Sequence, residues 1–165
     1  MILTTHILGA AAMTRPLAGS NPLVLFVVAI ASHFILDAIP HRDYRLDSVI
    51  RNGEGKQARV LGVRYDHVWW DITKLLIDGL VGAGALFYIM QPPLTVSGVL
   101  PFVLTVIGAA LPDFLQLVFW FFPKWPIALI HRFHKWVHTP HEPSKMIGFS
   151  IQGVVIAASL IILLW

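Results

Sequence analysis

Ionisable side chains interrupt the long apolar stretches of this chain, and this feature most restricts what the chain can fold into. The clearest case is residues 32–37 (SHFILD), where a histidine and an aspartate end an otherwise apolar segment. An aspartate at membrane depth costs about 2.5–3.5 kcal/mol on insertion scales. A chain that keeps several such groups is expected to gather them in one polar site, and the residue types favour a metal ion there.

Composition indicates an integral membrane protein. Hydrophobic residues make up 56% of the 165 residues, charged residues only 13%, and the mean hydropathy is +0.72. A soluble domain is about a quarter charged. The length fits one all-α membrane bundle that covers residues 1–165, and residues 1–13 lack the basic start and cleavage site of a signal peptide. Because cysteine is absent, any metal must be held by imidazole and carboxylate groups.

Hydropathy predicts about five transmembrane helices, since a helix needs about 20 residues to cross the hydrocarbon core. The predicted spans are residues 2–18, 22–39, 68–90, 95–122 and 146–165. Asn21 and Pro22 are typical of a helix start. The run 9–12 (GAAA) in the first span favours close helix packing.

Two polar loops, 41–67 and 123–145, separate these spans. The first contains a predicted turn at 52–55, and the second a short amphipathic helix near 127–139. Together they hold ten of the twelve Lys and Arg residues. The positive-inside rule therefore predicts a multi-pass inner-membrane protein with both loops and the N-terminus in the cytoplasm. In that topology the candidate ligands all lie toward one cavity that faces the cytoplasm.

The strongest candidates for metal ligands are His33, Asp37 and Asp113. His33 and Asp37 are four residues apart and share one helix face, so both can reach the same ion. Asp113 follows Pro112, which bends a helix and can aim a deep carboxylate inward. For the first pair the alternatives are a simple His–Asp hydrogen bond or a charge at the helix end that meets lipid head groups. For Asp113 the alternative is an ion pair with Lys74.

Asp71, Lys74 and Asp78 form a stripe on the third predicted span, at spacings i, i+3 and i+7. This stripe is expected to face the bundle interior. Lys74 is either a counter-charge or a group that binds an anionic substrate, and Asp78 is a candidate general base. An internal salt bridge without function fits the stripe nearly as well. His67 is assigned to the membrane interface.

His131, His134 and His138 recur at the same helical spacing in the last loop, with His141 beyond them. They either lie among lipid head groups or supply the imidazoles of a metal site. His134 and His138 are the preferred candidates. His6, near the start of the first span, is a further candidate ligand, with a small polar residue at a helix start as the alternative.

Several short segments together resemble a family of small bacterial inner-membrane proteins. They are residues 5–9 (THILG), 32–37 (SHFILD), 111–113 (LPD), 131–132 (HR) and 138–139 (HT). The family is the membrane-bound metal-dependent hydrolases, which are linked to the zinc-dependent phospholipase C superfamily. The resemblance implies a helical membrane bundle that holds a divalent metal, with zinc as the expected ion. It implies five metal ligands: His6, His33, Asp37, Asp113 and His138.

The sequence therefore predicts a membrane-embedded, metal-dependent hydrolase with a His/Asp site open to the cytoplasm. A bound ion lowers the pKa of water and polarises the scissile group, with Asp78 or His134 as base or orienting residue. Phosphoester or lipid substrates are expected from the membrane location. Nucleic-acid binding is not expected, because loop residues account for the net charge of +3.

Three other functions remain open from the sequence. The His and Asp residues could line the path of a proton- or divalent-cation transport protein, although the outer half has few polar groups. Transmembrane histidines could bind haem. The chain could also be a non-catalytic membrane protein that keeps the polar site for stability.

Overall fold

The computed structural model of the protein describes residues 1–43, 45–52, 59–139 and 143–165. The described part forms six helices and one antiparallel two-stranded hairpin, in agreement with the predicted all-α class except for the hairpin. The bounds in chain order are α1 Leu3–Thr14, α2 Pro22–Asp37, β1 Val49–Asn52, β2 Arg59–Val63, α3 Tyr65–Met90, α4 Val96–Phe121, α5 Ile127–Val137 and α6 Lys145–Leu164. A short 3-10 turn, Arg15–Leu17, follows α1.

Three helices within the described ranges are long and apolar enough to cross a membrane, namely α3, α4 and α6. They match the last three predicted spans. The prediction of five spans is not supported, because α1 has 12 residues and α2 has 16. At 1.5 Å per residue these helices are about 18 and 24 Å long, whereas the hydrocarbon core is about 30 Å thick.

The short helix α1 lies in the centre of the bundle and packs against α2, α3, α4 and α6. Nine of its twelve residues are buried, including the predicted packing run 9–12. A Cβ atom on Gly9 would lie 2.6 Å from Leu36 Cδ1, and one on Gly82 of α3 would lie 2.8 Å from Thr4 Cα. Small residues thus allow α1 to fit between its neighbours, with its N-terminal half beside the end of α2.

Local signals in the sequence explain where several helices begin and end. Asn21 accepts a hydrogen bond from the Leu23 amide at 2.8 Å and Pro22 is the first residue of α2, so the predicted start is confirmed. Ser144 caps α6 in the same way through the Ile147 amide. α3 ends at Met90, and the next residue, Gln91, has a φ of 42° in the left-handed region just before a proline.

The segment between α2 and α3 carries the hairpin, which the sequence patterning did not predict. Asp71 on α3 accepts a hydrogen bond from the Ser48 amide at 2.7 Å. Lys74 lies 2.7 Å from Asp47 and 3.0 Å from Asp71. These two residues of the predicted stripe therefore attach the hairpin segment to α3. Most of the turn predicted at 52–55 falls on residues 53–55, outside the described residues.

Two elements bring polar side chains to the end of α2. α4 continues through Pro112 and carries Asp113 one residue later. α5 runs close to the predicted 127–139 helix and buries His134, while Leu129 and Trp136 on its other side are exposed. The core of small and aliphatic residues from α1, α2, α3 and α4 lies directly beneath this end.

Candidate metal centre

Four side chains from three helices converge near the C-terminal end of α2. They are His33 and Asp37 of α2, Asp113 of α4 and His134 of α5, and each offers a ligand atom within 4.8 Å of the others. A second group, Asp37, His41 and His138, meets the same criterion. Four of the five metal ligands implied by the family resemblance thus fall in these two groups, and the fifth, His6, adjoins them.

Asp37 is the common member of both groups and is fully buried. Its Oδ2 atom lies 2.7 Å from His134 Nε2, 3.2 Å from His33 Nε2 and 3.3 Å from His138 Nε2. Its other oxygen, Oδ1, lies 3.2 Å from His6 Nε2. The two oxygens of one carboxylate therefore face two different sets of imidazole nitrogens.

The Oδ1 side of Asp37 also includes the segment that follows α2. His41 Nε2 lies 3.5 Å from Asp37 Oδ1 and 2.8 Å from Asp43 Oδ1. The amino group of Met1 lies 3.1 Å from Asp37 and 3.0 Å from Asp43. Asp43 was not predicted as a site residue. Its place in the run 40–43 (PHRD), directly after the His-x3-Asp pair, is the signal that could have indicated it.

Backbone carbonyl groups fix the orientation of two of these rings. His33 Nδ1 lies 2.7 Å from the Ala109 carbonyl, in the turn of α4 that precedes Pro112. His41 Nδ1 lies 2.7 Å from the Ile39 carbonyl. Since a carbonyl only accepts hydrogen bonds, each Nδ1 is the protonated donor, and a neutral ring then presents the lone pair of Nε2 to the cluster.

That orientation turns nitrogen lone pairs toward carboxylate oxygens. His33 Nε2 lies 3.2 Å from Asp37 and 3.6 Å from Asp113, yet it is buried and has no hydrogen-bond partner among the described residues. A lone pair that faces a carboxylate is repulsive unless a proton or a cation lies between them. Such a site is suited to a cation with nitrogen and oxygen ligands.

Several ligand atoms are spaced as they are around a small divalent metal ion, whereas His134 lies closer to Asp37, at 2.7 Å, and farther from Asp113, at 4.0 Å. Two ligand atoms that are each about 2.1 Å from a tetrahedral ion lie about 3.4 Å apart. The separations of Asp37 from His33, His138 and His6 are 3.2, 3.3 and 3.2 Å, and His33 lies 3.6 Å from Asp113. The donor set contains nitrogen and oxygen only, which suits divalent metal ions that bind imidazole and carboxylate groups.

Ring packing holds the imidazoles together. His6 stacks on His33 with centroids 3.9 Å apart, and His134 meets His33 edge-on at 5.1 Å. His134 and His138 are also stacked, at 5.2 Å. In contrast to the buried Asp37, Asp113 has a side chain that is 32% exposed. The cluster is therefore closely packed and buried on the side of α1 and α2, and partly exposed at Asp113.

Asp78, which the sequence indicated as a general base, lies elsewhere. Its carboxylate accepts hydrogen bonds from the amides of Leu3 and Thr4 and from the Thr4 hydroxyl at 2.6 Å. It therefore satisfies donors at the N-terminus of α1, as an N-cap residue does. Asp78 belongs to neither ligand group.

The remaining histidines take separate roles. His131 stacks on Phe119 at 3.9 Å and its Nδ1 hydrogen-bonds Gln116. Burial lowers the pKa of His131 below its usual value, and the nearby Lys135 and His134 lower it further. His67 is a surface residue that contacts Arg64, and His141 lies outside the described residues.

No family model matches this chain, and neither a curated protein nor a solved structure matches it.

Proposed function

We propose that this chain is a membrane-embedded, metal-dependent hydrolase of the inner membrane, with its His/Asp cluster facing the cytoplasm. The observation that carries the proposal is the arrangement around His33, where a buried Nε2 without a hydrogen-bond partner among the described residues faces two carboxylates. A divalent cation relieves this arrangement, and zinc is the ion we expect from the donor atoms and their spacing.

The residues divide into two ligand groups that share Asp37. His33, Asp113 and His134 would complete one group, and His41 and His138 the other, with His6 beside Asp37 Oδ1. Because the two groups share Asp37, together they offer ligands for up to two ions. An ion held there would supply a water molecule of lowered pKa and would polarise the bond to be cleaved.

His134 remains our candidate for moving a proton. Its Nε2 lies 2.7 Å from Asp37, and this contact orients the ring. Asp78 is a weaker candidate, because its oxygens already accept the donors at the start of α1. The partly exposed Asp113 marks the side from which a substrate can approach, and we expect that substrate to be a phosphoester or a lipid.

A transport function is less well supported by the polar groups in the rest of the bundle. The hydroxyl of Thr14 donates to the Ala10 carbonyl at 2.9 Å, that of Thr105 to Pro101 at 2.9 Å, and that of Ser159 to Val155 at 2.8 Å. These groups satisfy their own helices and do not extend the His/Asp cluster. A proton or cation path across the bundle would need further ionisable groups there.

Elemental analysis of the detergent-purified protein tests the metal site. We expect close to one or two divalent ions per chain in wild type and a loss of most of that metal in His33→Ala. The matched control is His67→Ala, which removes a half-exposed histidine outside the cluster and should keep the metal. Equal metal in all three proteins, or metal in none, would overturn the site.

Activity is tested on the same preparations with a chromogenic phosphate ester and with phospholipid vesicles. Hydrolysis that depends on the metal and is lost in Asp113→Asn supports the proposal. A protein that binds metal stoichiometrically and hydrolyses neither probe would instead be a non-catalytic metal-binding protein.

A further inference from the structure

An apolar groove of about 460 Å³ lies between the end of α2 and the first half of α6. Its size is within the range of small-molecule pockets. The walls include Ile39, Met146, Ile147, Ser150, Ile151 and Val154. Since Met146 is 79% and Val154 68% exposed, the groove opens on the outer side of the bundle.

The groove adjoins the metal cluster through a single short segment. The side chain of Ile39 lines the groove, while its carbonyl oxygen accepts the hydrogen bond from His41 Nδ1 at 2.7 Å. The other nitrogen of the same ring lies 3.5 Å from Asp37 Oδ1. Residues 39–41 therefore form one wall of the groove and part of the His/Asp cluster at once.

Positive charge lies near the start of α6, at the end of the groove where Met146 forms part of the wall. Arg42 packs against Gly148, where a Cβ atom would lie 2.8 Å from Arg42 Cβ, and its guanidinium donates to the Pro143 carbonyl at 3.2 Å. Lys145 is exposed in the first turn of α6. From Met146 to the far wall at Val155 the groove follows α6 for about 13 Å, at 1.5 Å per residue.

We propose that this groove binds a fatty acyl chain of an anionic membrane lipid, so that the lipid head group lies beside the His/Asp cluster. The inference rests on the proposed hydrolase function and assigns its substrate class. A phosphate head group complements the exposed Lys145, whereas an apolar partner helix brings no anion.

Photo-crosslinking tests the groove directly. The probe is a phosphatidylglycerol that carries a diazirine on one acyl chain, added to the full-length protein in micelles, with labelled peptides mapped by mass spectrometry. Labelling should concentrate on residues 146–155 in wild type. Ile151→Trp fills the groove and should reduce this labelling roughly fivefold or more, a change of about 1 kcal/mol in binding.

The matched control is Ile161→Trp, which adds the same side chain to a 61% exposed position of α6 outside the groove. It should leave the labelling unchanged. A phosphatidylcholine probe with the same chains should label the groove less. Three results would each overturn the proposal. They are labelling spread evenly over exposed apolar residues such as Leu80, undiminished labelling in Ile151→Trp, and crosslinks to a second copy of the chain.

Metal analysis of the same variants separates this inference from the proposed function. Ile151→Trp should keep its metal while it loses lipid labelling, because residue 151 contributes no ligand. Metal retention without concentrated labelling in wild type overturns the groove alone. Concentrated labelling in a protein that never holds metal overturns the hydrolase and supports only a lipid site.

Discussion

Asp37 is the residue on which the charge balance of the cluster depends. Its carboxylate lies within 3.5 Å of five imidazole nitrogens, those of His6, His33, His41, His134 and His138. The side chain is fully buried, so water does not screen these interactions. Whether the partner is a metal ion or protonated imidazole, the cation and this carboxylate stabilise each other.

Asp37→Asn keeps the shape of this side chain and removes its charge. Breaking a buried ionic arrangement in this way costs about 3–5 kcal/mol, so we expect a large fall in thermal stability together with loss of bound metal. The control is Asp66→Asn, whose side chain is 67% exposed and whose contact with Arg64 should contribute little. Thermal unfolding in detergent, with metal analysis alongside, gives both values. A variant at residue 37 as stable as the one at residue 66 would contradict this view of the cluster.

Sequence patterns located most of the cluster at the level of single residues. The four-residue spacing of His33 and Asp37 and the position of Asp113 after Pro112 were sufficient to select them. Asp78 shows the limit of that reasoning, since helical spacing tells which face a residue occupies but not what lies opposite. Its partner is the start of α1, and that contact depends on how α1 and α3 pack.

Close packing between helices sets the position of the ligands on α4. A Cβ atom on Gly108 would lie 2.7 Å from Ala29 Cβ and 3.1 Å from the Phe26 carbonyl oxygen on α2. The contact lies one residue before Ala109, whose carbonyl orients His33, and five residues before Asp113. The distance between α2 and α4 is therefore linked to the geometry of the site.

Gly108→Ala tests this link at the scale of the helix pair. The added methyl group must push α4 away from α2, and overpacking of this kind costs about 1–3 kcal/mol. We expect a lower thermal midpoint and weaker metal binding, measured by competition with a chelating dye. Gly153→Ala on α6 is the control, because a Cβ atom there has no atom within 4 Å among the described residues. If both variants bind metal as wild type does, the spacing of α2 and α4 does not control the site.

At the scale of elements, long apolar runs predicted α3, α4 and α6 well, since length and hydropathy are local properties. The same reasoning overestimated α1 and α2. The buried position of α1 follows from contacts of Gly9 and Gly82 with neighbouring helices, which no single segment reveals. The hairpin β1–β2 was missed because its strands are short and lie in a charged loop without an alternating apolar pattern.

In the whole molecule, the cluster joins elements that are far apart in the sequence. Its members come from α1, α2 with the segment that follows it, α4 and α5, whereas α3 and α6 provide no ligand to either group. A metal ion held by this set would act as a crosslink between helices. Because ligand binding stabilises only the folded arrangement, removal of the ion should weaken the bundle as a unit.

Treatment with a chelator should therefore lower the thermal midpoint of the purified protein. An ion present at about 100 times its dissociation constant contributes about 2.7 kcal/mol, which corresponds to a shift of about 5–10 °C for a chain of this length. Hydrogen exchange should increase most in α5 and residues 38–43. It should increase least in the C-terminal half of α6, which lies away from the cluster. The control is Asp37→Asn, whose thermal midpoint the chelator should not change. An equal fall of the midpoint in that variant would mean that the chelator acts on the protein by some route other than the cluster.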